Sequence, residues 1–356
     1  MKRRLSRRRA LVLAGSGLAA LAGCIGGGDD GGSGDDVDVP IPLTEHEVPL
    51  AFELGEFEEN AVSGGPGKDG IPSIDDPQFD GPEGGDDMMD PGDPVFGVVI
   101  DGEARAYPQH VLVWHEIVND SFGDRNVSVT YCPLTGTVIG FERGDVELGV
   151  SGRLVNNNLI MYDRETDSWW PQILGTAVDG DLIGMSLEEF RVIWTTWEQW
   201  REKHPDTRVL NQQTGFARDY GRDPYGAYNP PGGYYDNGRL LFDNLESDDR
   251  FPPKKVFMGA RSADGAVAFD KELLREDGLL EAEVGGVPYL AAYDPTLDTA
   301  YVYWNPDGVS VDRTSAGYES PDGTHDAAEL PLESVNTFDA MWFAWVGFYT
   351  DTVVVA

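Results

Sequence analysis

Cysteine is almost missing from this chain. Only Cys24 and Cys132 occur in 356 residues, which rules out the disulfide framework that staples many exported domains. Long apolar runs are missing as well. The strongest, residues 10–22, is too short to span a membrane as a helix. Positive charge is scarce: 26 Lys and Arg stand against 63 Asp and Glu, a formal net charge of −37. Phosphate binding needs a basic face, so nucleic acid is excluded as a partner. The chain also has no Walker loop, no dinucleotide fingerprint, no nucleophile elbow and no zinc-type spacing.

What is present begins with an address. Residues 6–24, "SRRRALVLAGSGLAALAGC", place Arg7, Arg8 and Arg9 before a short apolar run and end on Leu-Ala-Gly-Cys. This is the form of a twin-arginine export signal (1–23) with a lipobox, in which Cys24 is diacylated and anchors the protein. The expected location is the outer face of the cytoplasmic membrane. Loss of residues 1–23 removes six basic residues and takes the net charge from −37 to −43. Acidic residues spread along a lysine-poor chain suit a protein kept soluble in very high salt, where screening shortens self-repulsion.

Residues 24–64 open "CIGGGDDGGSGDDVDVPIP" and read as a disordered acidic tether. Beyond them the composition is rich in Trp, Tyr and Phe, and an internal similarity emerges. "VFGVVIDGEARAYPQHVL" (95–112) is similar to "VFMGARSADGAVAFDKELL" (256–274), and "YCPLTGTVIGFERG" (131–144) to "YDPTLDTAYVYWNPDG" (293–308). "TTWEQWREKHPDTRVL" (195–210) is similar to "AMWFAWVGFYTDTVVV" (340–355). The offset falls from 162 residues at Cys132/Asp294 to 145 at Trp197/Trp342, so the second copy is shorter in its middle.

Each copy reads as a hairpin, a short helix, further alternating strands and a closing helix. In the first copy the hairpin falls at 95–100 and 104–107. Thr195 with Glu198 forms a capping-box pattern ahead of the closing helix. The expected class is α+β, dominated by antiparallel strands, with two related lobes. The first lobe is 65–210 and the second, degenerate lobe is 256–356. Between them, 211–255 is a Tyr-, Gly- and Pro-rich segment expected to lie over the lobes as a wall or lid. The stretch 75–94 reads as an exposed loop.

Features found in one copy only are candidates for chemistry. Cys132 has Asp294 as its counterpart, and "SGRLVNNNLIMYDRETDSWWPQ" (151–172) has none. Cys132 is the candidate nucleophile, with Thr135 three positions on, where its hydroxyl would hydrogen-bond a thiolate, and His115 as base or imidazolium partner. The competing reading is a buried, inert thiol. Candidate ligand-binding residues are Asn156, Asn157, Asn158, Asp163, Arg164, Trp169 and Gln172, with Arg218 and Tyr220 from the inter-lobe segment. No cofactor is expected. His115, Cys132 and Met161 would be acceptable to copper as an alternative. Asn119 and Asn126 head glycosylation sequons.

Seven motifs in order, "GIPSIDDPQF", "GEARAYP", "WHEIVND", "TYCPLTGT", "NNNLIMYDRETDSWWPQ", "TTWEQWREKHPDT" and "TGFARDYGRDPYGAY", resemble an exported family, domain of unknown function 3179. The resemblance runs from about Gly67 to the C-terminus. Many members carry Cys-Pro-Leu-Cys at this place and some are selenoproteins, which implies redox chemistry at Cys132. This chain has Thr135 in place of the second thiol, which removes disulfide cycling. Two functions of different classes follow, with a purely structural surface protein as a third reading. One is a lipid-anchored thiol oxidoreductase or peroxidase-like enzyme with a redox partner. The other is a non-catalytic binding lipoprotein that captures a small molecule or metal between its lobes.

Overall fold

The structure, a computed structural model, describes residues 39–356; the signal, Cys24 and the first part of the tether lie outside the described residues. Alternating apolar side chains fold most of this region into antiparallel sheet with short helices between, an α+β architecture. Asp101 and Gly102, at φ of 51° and 81°, form the tight turn between Pro94–Ile100 and Glu103–Pro108. Positive φ at both turn residues matches the twist of the strands, which is why Asp-Gly sits there.

This hairpin gains Ile193–Thr196 antiparallel on one side and Arg208–Leu210 parallel on the other. Beside it lies a meander of Ile117–Phe122, Arg125–Cys132 and Thr137–Glu142, with Glu189–Phe190 at its edge. The same pairing order occurs in the second half. There Val256–Ser262 and Gly265–Asp270 take Thr337–Met341 antiparallel and Val353–Val355 parallel. The neighbouring meander is Leu279–Val284, Val287–Asp294 and Thr299–Trp304, edged by Glu333–Val335.

The closing helices, Trp197–Lys203 and Trp342–Phe348, occupy matching places. Trp200 lies over Gly97 and Trp345 over Gly259, each so close that a Cβ on the glycine would collide with the indole. Each indole N–H donates at 2.9 Å to a threonine hydroxyl, Thr207 for Trp200 and Thr352 for Trp345. The first helix starts one residue later than the Thr195/Glu198 pattern implies. Thr196 is its N-cap, accepting from the Gln199 N–H.

The halves differ where the sequence similarity fails. The first carries an extra sheet of Leu148–Val155, Asn158–Asp163 and Trp169–Pro171, and the second a small sheet from Asp312 to His325. One hydrophobic cluster draws on both halves, joining Leu159 and Trp170 to Phe257, Trp342 and Phe348.

Two segments read as structureless are built into this fold. Within 39–64, Leu43–Glu45 pairs with Met185–Leu187, and helix Leu54–Glu59 buries Phe57 against Phe348 at a ring-centroid distance of 5.4 Å. The apolar residues Leu50, Phe52 and Leu54 pack beside them, so hydrophobic burial outweighs the acidic composition there. Within 75–94, Phe79–Asp80 joins the first hairpin's sheet and Pro82–Met88 forms a helix, with Gly85 against Trp197.

Candidate functional site

Cys132 ends the strand Arg125–Cys132 and its side chain points into the core. Its Sγ accepts from the Leu159 N–H at 3.4 Å and donates to the Asn157 carbonyl at 3.6 Å, and the residue is 1 % exposed. Burial first, and then the nearby Glu116 carboxylate, push the thiol up to about 11. A thiol protonated at every physiological pH is not an activated nucleophile.

Thr135, Asn158 and Gln172 meet near Cys132, as candidate site residues of one lobe should, but they satisfy one another. Asn158 Nδ2 donates to Thr135 Oγ1 at 3.1 Å and to Gln172 Oε1 at 3.0 Å. Thr137 also donates to Gln172 Oε1, at 2.6 Å, and the Gln172 amide donates to Thr130. All are buried, so the group is a closed polar network that fixes the meander against the extra sheet.

His115 is engaged by other partners. Its Nδ1 faces the Pro72 carbonyl at 2.7 Å, and a carbonyl can only accept, so Nδ1 carries the proton. Its Nε2 then accepts from the Tyr220 hydroxyl at 2.7 Å, and Thr214 bonds that hydroxyl in turn at 2.5 Å. Burial lowers the imidazole pKa and keeps the ring neutral. Among the described residues no hydrogen bond joins His115 to Cys132. Neither is there a group of three or more His, Cys, Asp or Glu side chains disposed around a metal ion.

The asparagine run has a structural account. Asn156 and Asn157 adopt φ of 50° and 60° in the turn joining Leu148–Val155 to Asn158–Asp163. Their amides reach across the molecule. Asn156 bonds Gly347 and Leu245, and Asn157 bonds both backbone groups of Phe242. Asp163 is not paired with Arg164. It caps its own turn, accepting from Thr166, Ser168 and the Trp170 indole. Arg164 instead bridges Asp75 at 2.8 Å and Glu147 at 2.5 Å. Trp169 lies under the Arg153 guanidinium at 5.0 Å, and Arg218 is exposed beside the His115 site. Asn119 is buried, with its amide on Asp75 and Leu148, a position that excludes glycosylation of the folded chain.

Tyrosines of segment 211–255 contact the first half. Tyr220 docks on His115, Tyr228 packs edge-on against Trp194 at 5.2 Å and stacks on Tyr235 at 3.9 Å, and Tyr234 donates to the Leu134 carbonyl. Beneath it sits Glu116, a residue the sequence reading passed over. It is 6 % exposed, holds φ of 59°, and among the described residues its carboxyl makes no hydrogen bond. Burial alone raises its pKa to about 8. A strained, unpaired carboxyl beside a covering segment is the kind of group that concentrates at functional sites.

The other missed residues line a cavity of about 420 Å³ where the two halves meet. Trp194, Tyr228, Val256 and Met341 are its large aromatic and apolar lining residues. Lys254, Lys255, Lys271 and Arg275 supply cations to it. Lys271 pairs with Asp339 at 2.6 Å, Arg275 with Asp298 at 2.6 Å, and Lys255 with Asp270 at 2.6 Å. Lys254 is held differently. Its ammonium donates to the Tyr234 carbonyl and lies 3.2 Å from that ring's centroid. Burial lowers its pKa to about 8. The signal available in sequence was scarcity: three of the chain's six lysines, Lys254, Lys255 and Lys271, fall within eighteen positions.

These features define an antiparallel α+β protein with a thiol sealed in its core and an ionic cavity at the junction of its halves. The chain belongs to the family described as "Protein of unknown function (DUF3179)", whose model matches residues 68–352. No curated protein matches it, and no solved structure does.

Proposed function

We propose that this is an exported, lipid-anchored binding protein at the outer face of the cytoplasmic membrane, which holds a small molecule in the cavity at the junction of its halves. The observation that carries this reading is the cavity itself. It has the size of small-molecule sites, large aromatic and apolar lining residues, and three of the six lysines of a strongly acidic chain. The twin-arginine pattern and the Leu-Ala-Gly-Cys lipobox at Cys24 support export and anchoring. The shared pairing order and the matching Trp–Gly contacts support descent of the two halves from one duplicated unit.

A thiol oxidoreductase has less support, because Cys132 is buried and its pKa is raised rather than lowered. Native mass spectrometry of protein isolated from its own membrane tests the proposal. The expected spectrum shows a diacylated Cys24 and a noncovalent small molecule that is lost in the cavity-filling variant Val256→Trp. A ligand-free wild type whose Cys132 reacts rapidly with peroxide would return the thiol reading to first place.

A further inference from the structure

Resting on the cavity reading, we infer that the ligand is a small organic carboxylate with an apolar body, and that its negative end is held by Lys254. Four cations line the cavity in a chain of net charge −37, and Asp270 with the lining carboxylates Glu272, Asp298 and Asp339 balances them in number but not in pairing. One cation is left without a carboxylate partner. Lys271 and Arg275 are neutralised by Asp339 and Asp298, and Lys255 by Asp270 with Glu272 at 3.4 Å. Among the described residues no carboxylate bridges Lys254.

Hydrogen-bond capacity leads to the same group. A lysine ammonium has three donors and no acceptor. One donor of Lys254 is used on the Tyr234 carbonyl, and the ring face of Tyr234 covers another side without accepting a full hydrogen bond. Donors remain for a ligand, and a half-buried cation gains most from an anionic one. Each of the three lining carboxylates is bridged by a cation, Glu272 sharing Lys255 with Asp270.

The rest of the ligand follows from the apolar part of the lining. Trp194, Tyr228, Val256 and Met341 offer dispersion and apolar area, and Tyr228 adds one buried hydroxyl that has no hydrogen-bond partner among the described residues. Inorganic anions would satisfy Lys254 and leave that part wet. A carboxylate carried on a compact apolar or aromatic body matches both features at once.

Three probes of similar shape and different charge test this on the whole mature protein in detergent at fixed high ionic strength: benzoate, benzyl alcohol and benzylamine. Binding is read by calorimetry and by Trp emission. Benzoate is expected to bind about tenfold or more tighter than benzyl alcohol, the worth of one charge-assisted hydrogen bond. Lys254→Met should abolish that preference and leave benzyl alcohol binding unchanged. Lys254→Arg should keep it, which controls for a folding defect. Equal binding of benzoate and benzyl alcohol, tighter binding of benzylamine, or a preference that survives Lys254→Met would overturn the inference and leave the cavity reading standing. If none of the three binds, both fall.

Discussion

The ammonium of Lys254 lies 3.2 Å from the centroid of the Tyr234 ring and donates to that same residue's backbone carbonyl. One residue of the covering segment, through its ring and its backbone, thus positions the cation on which the carboxylate inference rests. Lys254 loses its proton near pH 8, because burial disfavours its charged form. The charged form binds the anion, so benzoate affinity should be level below about pH 7 and fall through pH 8 to 9. Arginine stays protonated across that range. A flat profile in Lys254→Arg, measured by calorimetry, is the expected contrast.

Glu116 should make the fold less stable as pH rises. Its folded pKa of about 8 exceeds the ordinary 4.5, so between those values the native state holds more protons than the unfolded chain. The neutral-carboxyl stability is therefore fully present below about pH 4.5 and is lost progressively up to about pH 8. Glu116→Gln removes the titration and should stabilise the protein at pH 7 by about 1–3 kcal/mol. Denaturant midpoints at pH 5 and pH 8 check this: the wild-type difference should shrink in the variant.

Cys132 should be inert while the protein is folded. With its thiol near 11 and its side chain buried, alkylation by iodoacetamide at pH 7.5 should follow unfolding and rise with denaturant. Cys132→Ala should cost about 1 kcal/mol of stability and leave benzoate binding unaltered.

Gly97→Ala and Gly259→Ala should be matched in effect. Each places a Cβ into an indole that has nowhere to retreat, Trp200 or Trp345, since each indole N–H is also tied to a threonine. Overpacking of this kind costs about 1–3 kcal/mol. Thermal unfolding of the two single variants should show comparable losses. A loss at only one site would mean that the second indole can shift.

Local patterns were legible in the sequence, and long-range partnerships were not. The Asp101-Gly102 turn, the alternation around Val127 and Val129, and the Trp-x-x-Trp helices each announce themselves within a few residues, because backbone geometry dictates them locally. The asparagine run at 156–158 was conspicuous, yet its partners Phe242, Leu245 and Gly347 lie 85 to 191 positions away. Polar density alone does not separate a ligand site from a latch between distant segments. Glu116 gave no signal, since an unpaired buried carboxyl is a property of its surroundings. Lys254 was visible only as part of an unusual clustering of a rare residue.

Because Leu159 and Trp170 share a hydrophobic cluster with Phe257, Trp342 and Phe348, the two halves adhere through side chains and not only through the chain that links them. Residues 236–239 of that linking chain are exposed on the surface. A protease cutting there would leave a nicked molecule still assembled, its tyrosines anchored on one fragment and Phe242 on the other. The same break offers a site for splitting the gene, with the two fragments finding each other through the apolar surfaces that each alone would leave exposed to water.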